Sequence, residues 1–179
     1  EAESKRVTAY PVDHRVSSTL GLHFEDLPRR PFLPEKAEAL GIPPGPWRKD
    51  LVAGKAITLA DGRVIQPDEV LGEEKPGAKL AIVGDVGRPE KLLPYIQGVD
   101  ALVVEATYLN EEAEMAEDFG HTTVGVVAKL VDEAGVGQLT PTHVSRRYRD
   151  DDIHNEATAI FPNTILAHDF DTFQVKHKD

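Results

Sequence analysis

Between residues 78 and 169 short apolar runs alternate with helical stretches, and no other feature narrows the fold of this chain as much. "AKLAIVGD" (78–85), "DALVVEAT" (100–107) and "VGQLTPTH" (136–143) are apolar runs of strand length and read as buried strands. "PEKLLPYIQG" (89–98) predicts a short helix, and "NEEAEMAEDFG" (110–120) a helix opened by an asparagine cap and closed by glycine. "TTVGVVAKLVDEAG" (122–135) predicts a helix with an apolar face, ended by Gly135. "RDDDIHNEATAIF" (149–161) adds another helix and "NTILAHD" (163–169) a last strand. Strands alternating with helices imply an α/β layer, in which functional groups collect at the carboxyl ends of the strands.

Upstream the pattern differs. "RVTAYPV" (6–12) reads as a strand and "GLHFED" (21–26) as its antiparallel neighbour. From Leu27 to Gly54, prolines 28, 31, 34, 43, 44 and 46 interrupt the chain, and only "PEKAEAL" (34–40) predicts a helix. Repeated prolines lack backbone donors and do not sit inside a sheet, so this stretch reads as a projecting arm. "KAITLADGRVIQPDEVL" (55–71) predicts a small hairpin turning at Asp61-Gly62.

With 179 residues, 40% of them hydrophobic, the chain has enough apolar material for one domain with a real core. No apolar run approaches the roughly 20 residues of a membrane helix, and the start lacks a signal-peptide core. Cysteine is absent, so disulfides and thiolate metal sites are excluded and any metal must use His, Asp or Glu. Both the missing cysteine and the missing leader fit a cytoplasmic setting. A net charge of −11 argues against a broadly basic nucleic-acid coat, though not against a local phosphate-binding patch. Basic residues gather at Arg29–Arg30, at Arg48, Lys49 and Lys55, and at Arg146, Arg147 and Arg149.

Three candidate ligands follow apolar strands: His14 after "AYPVD", Asp85 after "KLAIVG" and His143 after "GQLTPT". Each histidine alone reads more often as a structural side chain; the three groups together, at strand ends that converge, shift the balance toward a metal site. Imidazole and carboxylate both bind divalent ions, and a carboxylate can bridge two. Glu105 ends "ALVVE", where a carboxylate is costly to bury unless paired. His121 precedes Thr122–Thr123 at the start of the next helix. Paired, Glu105 and His121 make a general acid; unpaired, they are a strand end and a cap neighbour.

The order of these motifs, His14, then "VGD", "VEAT", "GHTT" and "THVSRRY", resembles the C-terminal half of ribonuclease Z, the tRNA 3′-processing endonuclease family of the metallo-β-lactamase superfamily. "GIPPGPWRKDLVAGK" (41–55) resembles that family's exosite, an arm that protrudes and grips the tRNA elbow. The resemblance covers nearly the whole chain. It implies an α/β fold: residues 1–179 as half of a metallo-β-lactamase αββα sandwich, with residues 27–55 an inserted tRNA-binding arm. It further implies zinc, two ions per intact site, with His14 and His143 as terminal ligands and Asp85 as the bridge. Glu105 and His121 become the pair that protonates the leaving 3′-oxygen, and Gly45, Pro46, Arg48 and Lys49 fall on the exosite. The implied substrate is precursor tRNA, and the implied assembly a homodimer in which one subunit's arm serves the other's active site.

The sequence also departs from the family. The signature H-x-H-x-D-H is absent, and with it the motif that supplies four metal ligands, so the chain alone is expected to be inactive and to leave an apolar sheet face uncovered. Val104 stands where histidine is usual, Val86 where threonine is common, and Gly21 lies where an aromatic–basic pair is usual. Two other readings stay open: a non-catalytic tRNA-binding or dimerisation module, and a different phosphodiesterase of the same fold.

Overall fold

The computed structural model describes residues 4–15 and 19–178; residues 1–3 and 179, the ends of the expected domain, lie outside the described residues. The strands are β1 (Lys5–Pro11), β2 (Leu20–Asp26), β3 (Ile57–Thr58), β4 (Val64–Ile65), β5 (Lys79–Val83), β6 (Ala101–Glu105) and β7 (Leu139–Thr142). The helices are α1 (Pro34–Ala39), α2 (Arg48–Val52), α3 (Pro67–Val70), α4 (Leu93–Ile96), α5 (Ala113–Phe119), α6 (Val124–Glu133) and α7 (Asp150–Ile160). The chain divides into two compact units, a larger one of Lys5–Asp26 with everything from Ala78 onward, and a smaller one of Leu27–Gly77 with Ser4. Among the described residues no helix is long and apolar enough to cross a membrane.

The larger unit is a mixed α/β structure around one five-stranded sheet of order β1-β2-β5-β6-β7. β2 runs antiparallel to both β1 and β5, while β5, β6 and β7 are parallel. Four strands therefore point the same way, and their carboxyl ends share one edge. Pleating sorts the side chains by face. Ala81 and Val83 are buried with Leu102, Val104 and Leu139 against Ile96, Val127, Val131, Ile153 and Ala157 of the helices. Ile82, between them on β5, points the other way and is 37% exposed. Val7, Leu20 and Leu22 are also exposed. The register sets Ala9 opposite Leu22 and Leu22 opposite Ile82, which makes the uncovered face apolar, as the sequence anticipates.

Gly21 has a local explanation. A Cβ there would collide with the ring of Tyr10, its partner across the β1–β2 pair. That ring in turn stacks on Tyr95 at 4.6 Å between centroids. Burial pushes the Tyr10 hydroxyl up to about 12.

α6 starts where the sequence anticipates, with Thr123 Oγ1 accepting from Val126 N at 3.3 Å, and Gly135 follows it at φ 64°. α5 ends on Gly120 at φ 75°, but Asn110 is not its cap. Asn110 opens a 3-10 turn (Asn110–Glu112), and its side-chain oxygen accepts instead from the Thr123 hydroxyl at 2.5 Å. The expected strand at 163–169 reduces to one bridge: Leu139 N donates to Asn163 O and Ile165 N to Leu139 O. Beyond it the chain is drawn away by the polar contacts of His168 rather than by a ladder.

In the smaller unit, Ala37, Ile42, Leu51, Ile57, Ile65 and Val70 form a separate core with Phe32 and Trp47 beside it. β3 and β4 pair across a turn that contains Gly62 at φ 85°. The hairpin is shorter than the 55–71 expected, because Pro67 favours a helix start and Glu69 accepts from Gln66 N at 2.6 Å, turning the remainder into α3. α2 is a second helix that the proline spacing conceals; it forms because Leu51 is drawn wholly into the core.

Candidate metal centre and proton donor

β1, β5, β6 and β7 deliver four ionisable side chains to their common edge. His14 lies three residues past β1, Asp85 two past β5 and His143 one past β7, while Glu105 is the last residue of β6. His121 arrives from the turn between α5 and α6, placed by the left-handed Gly120 before it.

Asp85 occupies the centre. Its Oδ1 lies 3.1 Å from His143 Nδ1 and its Oδ2 3.9 Å from His14 Nε2, so each carboxylate oxygen faces a different imidazole. His14 is oriented from behind by Nδ1, 2.8 Å from the carbonyl oxygen of Gly120. His143 has φ 55°, a backbone conformation that costs a non-glycine residue free energy and recurs at functional sites. Donor atoms of Asp85, His121 and His143 all lie within 4.8 Å of one another.

Glu105 is completely buried. A carboxylate in that position is tolerated only when its oxygens are satisfied, and these are. Oε1 accepts from Val86 N at 3.1 Å and Thr122 N at 3.2 Å, and meets His121 Nδ1 at 3.1 Å. Oε2 accepts from Thr107 N at 3.0 Å and from the Thr107 hydroxyl at 2.8 Å. With Nδ1 committed to Glu105, the Nε2 of His121 is the ring nitrogen left for chemistry. The His121 ring lies 5.6 Å from that of His14 and 5.1 Å from that of His143, centroid to centroid.

The sequence reading brings together His14, Asp85, Glu105, His121 and His143, and the structure sets them side by side. It passes over Thr107, whose hydroxyl links Glu105 to His143 Nδ1 at 3.2 Å. The signal was available, since Thr107 is two residues past Glu105. Val86, next to Asp85, contributes through its backbone, as a donor to Glu105. Of the arginines behind His143, Arg147 pairs with Glu112 at 2.6 Å and lies over the Tyr108 ring, and Arg149 pairs with Asp152 at 3.0 Å. Those two brace local structure, while Arg146 is exposed. A cavity of about 620 Å³ beside His14 and His121 is flanked by Arg15 and Arg88.

Gly45, Pro46, Arg48 and Lys49 belong to the smaller unit. Gly45 lies against the Trp47 ring, where a side chain would not fit, and Arg48 stacks over Phe32 at 4.9 Å. Pro46 and Lys49 are exposed.

No family model matches the chain. Among curated proteins, it is 42% identical over 165 residues to ribonuclease Z of Bradyrhizobium diazoefficiens, covering 92% of this chain and 55% of that one. It is also 42% identical over 175 residues to ribonuclease BN of Escherichia coli K12, covering 96% and 57%. The chain thus spans a little over half the length of these curated relatives. Among solved structures, the metallo-β-lactamase fold protein YhfI from Bacillus subtilis superposes with a TM-score of 0.56 at 14% identity, covering 93% of this chain and 48% of that one. The short form of human tRNase Z gives 0.52 at 18%, covering 98% and 45%. At such identities these two likenesses establish the fold alone.

Proposed function

The chain belongs to the ribonuclease Z family, and on that premise we propose that it carries one half of a zinc-dependent endoribonuclease site that removes the 3′ trailer from precursor tRNA. The observation that carries this reading is the buried Glu105–His121 pair set beside a carboxylate that faces two histidines. The donor chemistry suits zinc: nitrogen and carboxylate oxygen without sulfur, from His14, Asp85 and His143. Two ions need more donors than these, and we place the remainder on an H-x-H-x-D-H segment in the part of the relatives that this chain does not match. When bound, zinc supplies Lewis acidity to the phosphodiester and an acidified water.

The chain's own residues do the rest. Glu105 fixes the His121 ring through Nδ1, which leaves Nε2 as the nitrogen from which a proton is offered. As water adds to phosphorus and the bond to the 3′-oxygen breaks, that proton passes to the oxygen, leaving a 3′-hydroxyl on the tRNA. Asp85 turns one oxygen to His143 and the other toward His14, which supports its reading as a bridge. Gly45 and Pro46 lead into Arg48 and Lys49, whose cations, on the smaller unit, suit a grip on the tRNA backbone. The reading includes a homodimer and a cytoplasmic setting.

Mixing the chain with a polypeptide bearing H-x-H-x-D-H should restore zinc-dependent cleavage of precursor tRNA, while the chain alone stays inactive. His121→Ala should then lower the cleavage rate by 100-fold or more, taking about 10²–10⁴ as the usual contribution of a positioned acid. Cleavage unaffected by this substitution would refute the proton-donor role, and tRNA binding without any cleavage would favour the non-catalytic module.

A further inference from the structure

We propose that residues 174–178 form a releasable strap over the amino-terminal end of the sheet's open face, with Asp100 as its latch. The strap lies at the edge of the sheet opposite Asp85 and His143 and is independent of the chemistry there. Side chains on the open face fall into rows. Ala9, Leu22, Ile82 and Val103 are in register in one, and Val7, Phe24, Leu80 and Ala101 form the next, nearer the edge where β5 and β6 begin. Exposure separates the two. Leu22 and Ile82 are 36% and 37% exposed, whereas Phe24 and Leu80 are half-buried and Ala101 is buried. The cover on the second row comes from chain beyond α7. Val175 lines a cavity of about 300 Å³ with Lys5, Val7, Phe24 and Leu80. With Gln174 it lines a second, of about 280 Å³, beside Ala101. Val7, on the outermost strand, stays 58% exposed, so the cover stops short of β1.

Asp100 fastens this segment. Its side chain is 2% exposed, and a carboxylate so placed needs donors for its oxygens. Oδ2 accepts from Lys79 N at 2.7 Å, within the sheet. Oδ1 accepts from Lys178 N at 2.7 Å and faces His177 Nδ1 at 3.3 Å. One oxygen thus belongs to the sheet and the other to the strap. The rest of the strap is held lightly. Among residues 174–178 only Val175 is half-buried, the others are exposed, and none is part of a strand. A segment held by one apolar side chain and one carboxylate opens far more readily than the core. Opening does not strand Asp100, because Oδ2 keeps its sheet donor and water reaches Oδ1 where Lys178 and His177 stood. The two cavities mark the fit as incomplete, so an apolar layer that fills this face better takes the strap's place. Strap and second layer are alternative occupants of one row of side chains.

The test needs only this chain and its variants. In the unaltered chain the Lys178 amide should be protected from exchange by about 10-fold or more, the factor expected of a hydrogen bond to a charged acceptor. Val175→Ser and Asp100→Asn should each return it to its intrinsic rate. Nile red, an uncharged dye, reports the open face. Its affinity should rise at least about threefold when the chain is shortened to end at Phe173, and Asp100→Asn in the full chain should raise it equally. In the shortened chain Asp100→Asn should add nothing, since the latch then has nothing to hold. Saturating dye should in turn speed Lys178 exchange in the unaltered chain. Circular dichroism confirms that each variant is folded; should Asp100→Asn fail to fold, Val175→Ser and the shortened chain carry the test unaided. The proposal fails if Lys178 exchanges at its intrinsic rate in the unaltered chain, or if the shortened chain binds dye no better. It fails equally if dye leaves Lys178 exchange unchanged, or if Asp100→Asn raises dye binding as much in the shortened chain as in the full one. Failure here leaves the tRNA-processing reading intact, because no step of this test involves metal, RNA or a second polypeptide.

Discussion

Glu105 shows how much of the larger unit's polar order depends on one side chain. Converting it to glutamine turns part of an acceptor-only group toward donors that need acceptors, and strands some of the N–H groups of Val86, Thr107 and Thr122. Glu105→Gln should cost about 1–3 kcal/mol of stability, read from urea unfolding, as expected when buried donors lose their partners. A result within error of the unaltered chain would mean that water satisfies those groups. A second residue gives a pH dependence. His168 has Nε2 3.0 Å from Asp150 and Nδ1 3.4 Å from Asp171, and these contacts, that with Asp150 foremost, raise its pKa above the ordinary 6.5. A raised pKa means the contact stabilises the folded chain fully below 6.5, and that this contribution is lost as pH rises through the folded value. Amide exchange around residues 168–171 should therefore be slower at pH 6 than at pH 8, after correction for intrinsic rates. His168→Gln should remove the difference. Both aspartates are on the surface, so salt should weaken the effect.

Among the elements, the β1–β2 pair depends on the absence of a side chain. Gly21→Ala forces a methyl group into the Tyr10 ring and disturbs its stack on Tyr95, with an expected cost of about 1–3 kcal/mol, the usual range for overpacking. Thermal unfolding measures it, and a change below about 0.5 kcal/mol would show that the ring moves aside freely. These elements also show what could be read from sequence. β5, β6 and β7 were visible because each is an apolar run closed by a polar residue, and the same punctuation exposed Asp85, Glu105 and His143. The carboxyl-terminal strand was not, because the apolar letters of "NTILAHD" carry no sign that His168 would be claimed by Asp150 and Asp171. α2 and α3 were hidden for a related reason. Proline suppresses helix propensity within a segment but favours helix starts, and only the tertiary position of Leu51 and Val70 decides between them. The Glu105–His121 contact joins residues sixteen apart, and its backbone donors leave no trace in residue identity.

For the whole molecule, the sheet face of Val7, Leu20, Leu22 and Ile82 is the feature that the chain leaves open. Ile82→Lys removes little buried area from the chain itself, so its stability should change by less than about 1 kcal/mol, as for most surface positions. The same substitution should reduce association with an H-x-H-x-D-H polypeptide at least tenfold by analytical ultracentrifugation, because a lysine would be trapped between two apolar layers. Equal association by the variant would show that this face is not where the second layer docks. The division of the chain into two units has a further consequence, for the order in which it folds. β2 and β5 are adjacent strands, with Asp26 N donating to Ala78 O at 2.9 Å, yet the whole of Leu27–Gly77 lies between them. Pairing them from a disordered chain means closing a long loop, which slows a search dominated by distant contacts. The smaller unit has its own core, and Arg29 and Lys75 exchange two backbone hydrogen bonds at its base, 3.0 and 2.9 Å long. If that unit forms first, the two strands arrive already side by side, and the longest closure in the sheet becomes one of its earliest.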